Sequence, residues 1–105
     1  MESIYVTVTH LEEFCCLSGF RPKERLIIAK DRDNIYDDEA LLVMKENGFK
    51  CGYVANSCRT AARGTFSAGR LYDRFDEKIE AEVCFVFPDT LIARVIFDQE
   101  ANDAK

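Results

Sequence analysis

Asn47-Gly48 stands between two apolar runs, "ALLVMKE" before it and "FKCGYVA" after it, and this pair constrains the chain more than any other feature. A tight turn between runs of strand length makes them neighbouring antiparallel strands. The other apolar segments share that character. "SIYVTVTHL" sets Ile4, Val6 and Val8 against Tyr5, Thr7 and Thr9, with β-branched residues dominating, and reads as a strand. Gly19 and Pro22 punctuate "EFCCLSGFRPKE" as a turn or loop, and "RLIIAK" follows as a short strand. "KIEAEVCFVF" places Ile79, Ala81, Val83, Phe85 and Phe87 on one side, opposite Glu80 and Glu82, so Phe85 and Phe87 are expected in the core. "TLIARVIFD" returns after the Pro88-Asp89 turn.

One stretch breaks the alternation. "NSCRTAARG" opens on Asn56 and Ser57, good N-cap residues, and closes on Gly64, a good helix terminator. "SAGRLYDRF" is capped by Ser67 and carries Leu71 and Phe75 four apart on one face. Runs of strands with a helical insertion do not make an alternating parallel sheet. The expected fold class is mainly β, a six-stranded antiparallel barrel with two short helices inserted before the last two strands. Closure removes the edges that an open sheet of this size would expose. The length of 105 residues allows one domain, expected over residues 1–99, with a polar C-terminal tail at 100–105.

Composition excludes several classes. The hydrophobic share of 48% and charged share of 31% are those of a globular protein, and no stretch supplies the ~20 apolar residues of a membrane span. "MESIYVTV" lacks the basic start and apolar block of a signal peptide. Five cysteines, Cys15, Cys16, Cys51, Cys58 and Cys84, form an odd set without a C-x-x-C pair, and His10 is the single histidine. The expectation is a cytoplasmic protein with reduced thiols, no zinc, no structural disulfide and no cofactor. The net charge of -5 opposes nucleic-acid binding, yet it is unevenly spread. Between residues 50 and 74 stand Lys50, Arg59, Arg63, Arg70 and Arg74 against Asp73 alone. Between residues 21 and 32 stand Arg21, Lys23, Arg25, Lys30 and Arg32 against Glu24 and Asp31. Such windows are either solvated faces or functional patches.

Catalytic signatures are absent: no phosphate-cradling glycine loop, no dinucleotide fingerprint and no nucleophile elbow. Without a base beside a cysteine, no Cys-His nucleophile is expected, and the chain is read as a non-enzyme. "DRDNIYDDEALLV", residues 31–43, crowds carboxylates around Tyr36. It begins like a calcium loop, but Tyr36 occupies the sixth position, which requires glycine, and Leu42 the twelfth, which requires a bidentate glutamate. It is not an EF-hand.

Taken together, "RLIIAKDRD", then Asn34-Ile35-Tyr36-Asp37-Asp38-Glu39-Ala40-Leu41, the Asn47-Gly48 hairpin and Gly52-Tyr53-Val54 resemble the HIRAN domain. The likeness runs from the first strand to the closing pair. HIRAN domains occur at the N-terminus of eukaryotic SWI/SNF-type DNA translocases and as small stand-alone bacterial proteins, and this chain is similar to the latter. The resemblance implies an OB-like six-stranded barrel with two helices. It also implies a pocket gripping the 3'-hydroxyl end of single-stranded DNA, with Tyr36 and Asp37 on the terminal nucleotide. Tyr53 sits where the family places an aromatic or imidazole ring, and a closing-region phenylalanine, here Phe85 or Phe87, gives the last base contact.

The residue chemistry suits those roles. A tyrosine ring offers sequence-tolerant stacking, and a carboxylate accepts a bond from a sugar hydroxyl while repelling phosphate. Asn34 supports them by closing a local turn. Lys30, Arg32, Arg59 and Arg63 are candidate phosphate contacts, the last two four apart on one helical face. DNA-binding members carry an arginine and an aromatic just after the first strand. Here "His10-Leu11-Glu12-Glu13-Phe14" stands there, so Phe14 takes the aromatic place while Glu12 and Glu13 cannot replace an arginine. Structural readings stand beside these: Tyr36 as a barrel plug, Asp37 as a turn cap, Tyr53 as strand packing, His10 as a surface residue. The rival function is a protein-interaction module that kept the barrel and lost DNA binding, docking on an acidic partner such as a DNA-processing enzyme.

Overall fold

A computed structural model describes residues 3–11, 20–56 and 62–97. Six strands run in the order β1 (Tyr5–Thr9), β2 (Arg25–Lys30), β3 (Leu41–Lys45), β4 (Lys50–Val54), β5 (Lys78–Val86) and β6 (Leu91–Ile96). One helix among the described residues, α1 (Ala68–Tyr72), lies between β4 and β5. The strands close into a barrel in the order β1-β4-β3-β2-β5-β6, every neighbouring pair antiparallel. The expected mainly β, six-stranded antiparallel barrel is therefore the observed one. Among the described residues no helix is long and apolar enough to cross a membrane.

Alternation puts the core inside. Val6 and Val8, Leu26 and Ile28, Leu41 and Val43, Ile79, Ala81 and Val83, and Leu91, Ala93 and Val95 point inward and are buried. A barrel this small is filled by side chains and leaves no channel. The β3–β4 turn carries the expected hairpin, as a three-residue loop. Gly48 N donates to Lys45 O at 2.8 Å, Lys45 N donates to Phe49 O at 2.9 Å, and Gly48 alone takes positive φ, at 89°. Asn47 supports the turn through Oδ1, which accepts from Phe49 N at 2.9 Å.

The expectation that Phe85 and Phe87 are core is corrected. The β5–β6 register shifts between Val83 and Phe85, inserting Cys84 as an extra residue. A one-residue bulge exchanges the two faces of all that follows. Phe85 is consequently 58% exposed and Phe87 47% exposed, while Val83 before the bulge stays buried.

The helical insertion is only partly as expected. Residues 57–61, which hold most of the first expected helix, lie outside the described residues, as does the polar tail. Ala62 to Thr65 forms a turn, with Gly64 at φ 90° and Thr65 N bonded to Ala62 O at 3.1 Å. Ser67 caps α1 as expected, its side chain accepting from Arg70 N at 3.3 Å. Ala68 and Leu71 are buried in the core, and Phe66, Tyr72 and Phe75 pack against it.

β1 and β4 approach closely at Gly52. A Cβ on Gly52 would overlap the Thr9 carbonyl oxygen and press on Val8 and Leu11. His10, at φ 65°, turns the chain so that Leu11 is buried beside this contact. Gly52→Ala is therefore expected to destabilise by ~3 kcal/mol, the upper end for overpacking, because the atom met is backbone. Gly48→Ala, with nothing within 4 Å of its added Cβ, acts through backbone strain alone and should cost about 1–2 kcal/mol. Urea unfolding of both variants checks the ranking, and the reverse order would refute it.

Candidate functional site

Residues 31–40 join β2 to β3, and their backbone groups are bonded mostly to one another. Asp31 N donates to Ala40 O at 3.0 Å and closes the loop at its base. Asn34 N donates to Asp31 O at 3.2 Å, and Asn34 Oδ1 accepts from Tyr36 N at 2.9 Å and Asp37 N at 3.0 Å. Asp37 Oδ1 accepts from Glu39 N at 2.9 Å, and Ala40 N bonds Asp37 O at 3.3 Å. Asn and Asp side chains favour such local closure, which is why this sequence forms a defined loop here. The apex displays Ile35 and Tyr36, 85% and 90% exposed. Tyr36 is thus not a plug of the barrel.

β4 supplies the facing wall. Thr9, Tyr53 and Leu42 occupy one row across β1, β4 and β3. Tyr53 donates its hydroxyl to Asp31 Oδ2 at 2.9 Å, which pins the base of the loop to the barrel. The His10 ring meets Tyr53 edge-on, with centroids 6.2 Å apart and planes at 89°. Between loop and barrel lies a cleft of about 520 Å³ lined by Thr9, His10, Asn34, Tyr36, Asp37, Ala40, Tyr53, Val54, Ala55 and Asn56. The structure therefore brings Asn34, Tyr36, Asp37 and Tyr53 together in one concave place. Asp37 serves as a turn cap through Oδ1, while no hydrogen bond among the described residues engages its Oδ2. Sequence reasoning missed Thr9, His10 and Asn56 as lining residues. Only the pairing of Thr9 with Tyr53 identifies them, and pairing is not legible in either segment alone.

Of the expected cations, Lys30, Arg32 and Arg63 are among the described residues, and none of the three lines the cleft. Lys30 donates Nζ to Phe75 O at 2.8 Å and sits over the rings of Tyr72 and Phe75, at 4.4 and 5.1 Å. Arg32 donates Nε at 3.2 Å and Nη2 at 2.9 Å to the two carboxylate oxygens of Glu77. These hydrogen bonds, and then the charge attraction, hold the Glu77 carboxyl below its usual range and raise Arg32 above its own. The pair is complete at neutral pH and releases Arg32 only as pH falls through the lowered Glu77 value. Arg63 is exposed on the turn after residue 61 and does not line the cleft. Phe14, Arg59, Glu12 and Glu13 lie outside the described residues. Among the described lining residues, Asp37 and His10 are the ionisable groups besides the two tyrosines, and none is lysine or arginine. No group of three His, Cys, Asp or Glu side chains converges to hold a metal ion among the described residues.

With this geometry in hand, the chain can be compared with known proteins. The crystal structure of the HIRAN domain of human HLTF superposes with a TM-score of 0.65, covering 89% of this chain and 72% of that one, at 22% sequence identity. The fold is HIRAN-like. No family model and no curated protein matches the sequence.

Because Asn34 Oδ1 is the sole side-chain acceptor for both the Tyr36 and Asp37 amides, Asn34→Ala should loosen the apex and leave the barrel intact. Losing a cap of this kind costs about 0.5–2 kcal/mol, so hydrogen exchange at these amides should quicken roughly 2- to 30-fold. Amides of the paired strands β2 and β3 should keep their wild-type rates. Uniform acceleration across the barrel would contradict a local role.

Proposed function

We propose that this domain is a non-catalytic module that binds single-stranded DNA and receives a 3'-hydroxyl end in the cleft between residues 31–40 and β4. One observation carries the reading: the cleft gathers an exposed ring, Tyr36, a carboxylate with an unengaged oxygen, Asp37, and a second ring, Tyr53, with no lysine or arginine among its described lining residues. A site that gripped the interior of a strand would need cations for its phosphates. A carboxylate among neutral groups instead favours a hydroxyl, which donates a hydrogen bond and carries no charge. The cleft volume of about 520 Å³ falls in the ~300–1,000 Å³ range of sites for small ligands, room for a terminal nucleotide. The HIRAN-like fold, together with the order of residues 31–43, supports the same assignment.

A second reading keeps the barrel as a protein-interaction module, docking for instance on a DNA-processing enzyme. The observation in its favour is the apolar surface at the β5–β6 turn, where Phe85, Val86 and Phe87 are exposed.

Anisotropy titrations with 5'-labelled oligonucleotides separate the two. A 3'-phosphate places an anion against Asp37 and removes the hydroxyl donor, so affinity should fall by about one to two decades, equivalent to ~1.5–3 kcal/mol. Tyr36→Ala should weaken both ends alike, by ~1–3 kcal/mol of lost stacking. Asp37→Asn should narrow the difference between them, because an amide does not repel phosphate. Equal wild-type affinity for both ends would refute end recognition. No binding at ~50 mM salt, where phosphate contacts are least screened, would favour the protein-interaction reading.

A further inference from the structure

The basic window between residues 50 and 74 ends on α1 and the turn that follows it. The helix abuts the cleft wall: Ala68 N donates to Ala55 O at 3.0 Å, and Gly69 N donates to Asn56 Oδ1 at 2.8 Å. Ala55 and Asn56 both line the cleft. The contact is close on the loop side as well, since a Cβ on Gly69 would lie 2.8 Å from Glu39 Oε1. Arg70 is the next residue, and Arg74 follows four later. Both guanidinium groups sit over one ring, that of Phe66, at 4.0 and 5.5 Å from its centroid.

Neither arginine has a carboxylate partner among the described residues. The ion pairs there join Arg25 to Glu80, Arg32 to Glu77, Lys45 to Glu24 and Arg94 to Glu82. Asp73, which ends the helix, pairs with neither. In a chain with 19 acidic and 14 basic side chains, two like charges held side by side with no counter-ion among the described residues need a reason. Arg70 on α1 and Arg74 in the turn after it are like charges that repel at this range, and the shared ring offsets that repulsion by cation–π attraction. A guanidinium lying over a ring covers one of its faces, while its N–H groups point outward in its own plane, where they can take a phosphate.

We propose that Arg70 and Arg74, stacked on Phe66, bind the phosphodiester backbone of the strand whose end occupies the cleft. This inference rests on the reading of the cleft given above. The residue 31–39 loop carries Asp31, Asp33, Asp37, Asp38 and Glu39, which repel an emerging backbone. Arg70 and Arg74 attract it. The terminal nucleotide is then read by rings and a carboxylate, and the strand behind it is held by arginines on an adjacent element.

The test varies strand length. Wild-type protein, Arg70→Gln/Arg74→Gln, Arg70→Lys/Arg74→Lys and Tyr36→Ala are titrated with 5'-labelled oligothymidylates of ~2 and ~10 nucleotides, the longer lying within the ~4–16 nucleotides an OB-type fold covers. The glutamine variant should bind the dinucleotide as wild type does. It should lose roughly tenfold on the longer strand at ~50 mM salt, with a salt slope shallower by about 1.4, at ~0.7 per single-strand phosphate contact. The lysine variant should keep most of the slope, which separates lost charge from a damaged fold. Tyr36→Ala should weaken both lengths without changing the slope. If the glutamine variant binds the longer strand with wild-type affinity and slope while Tyr36→Ala still weakens both, the backbone track is refuted and the cleft reading stands. If Tyr36→Ala has no effect on either length, the cleft reading fails and the track falls with it. If a polyglutamate peptide binds through Arg70 and Arg74 while the longer strand ignores them, the patch serves an acidic protein surface and the proposal is overturned.

Discussion

On its β4 side, β1 is shared between two partners. Val8 and Thr9 pair with Val54 and Tyr53, and beyond them the carbonyls of Thr7 and Tyr5 accept from Ala55 N at 2.8 Å and Phe66 N at 2.7 Å. The chain therefore leaves β1 after Ala55 and returns to it at Phe66. Thr7 holds the return: its Oγ1 accepts from Ala62 N at 2.9 Å and lies 3.0 Å from Thr65 Oγ1, with the residue only 3% exposed. A buried hydroxyl so placed satisfies Ala62 N, which an apolar isostere would leave without this acceptor, while Thr65 Oγ1 keeps its bond to Ala62 O at 2.6 Å. Both the cleft and the helix depend on this arrangement. It sets Ala55 and Asn56 at the cleft, and it brings Ala68 and Leu71 into the core.

The same geometry sorts the charges. On the barrel wall, cations are neutralised across strands: Arg25 with Glu80 and Arg94 with Glu82. Arg32 is bound by Glu77, and Lys45 lies 3.5 Å from Glu24 and over the ring of Phe20. Exposed pairs of this kind contribute little to stability, but they cancel the local field. The loop of residues 31–39 is left strongly negative, and Arg70 on α1 and Arg74 just after it stand on the adjacent element. Net charge alone would describe this as an acidic protein and miss the division.

Much of the fold was legible because its signals are local. β-branched alternation, the Asn47-Gly48 turn and the Ser67 cap each act within a few residues, and all appear where the sequence indicated them. Phe85 and Phe87 show the limit of that reasoning. Their alternation with Glu80 and Glu82 is regular in the sequence, and the bulge at Cys84 that turns Phe85 outward arises from register between β5 and β6. At the site, Asn34, Tyr36 and Asp37 were recognisable because their geometry is made by hydrogen bonds within the same loop. Lys30 and Arg32 stand away from the cleft lining for the opposite reason. What occupies them is distant along the chain: Tyr72, Phe75 and Glu77.

By itself the sequence determined a strand-rich chain with one tight hairpin, a capped helix and a loop that displays Tyr36. Those outcomes follow from backbone preferences and bonds between near neighbours, which need no tertiary partner. Tertiary structure alone decided that Thr9 and Tyr53 share a row and that His10 and Asn56 border the cleft. Each of these depends on the closure of β1 between β4 and β6, a condition on the whole sheet. Register across a closed barrel is set by every strand at once, so no segment carries it alone.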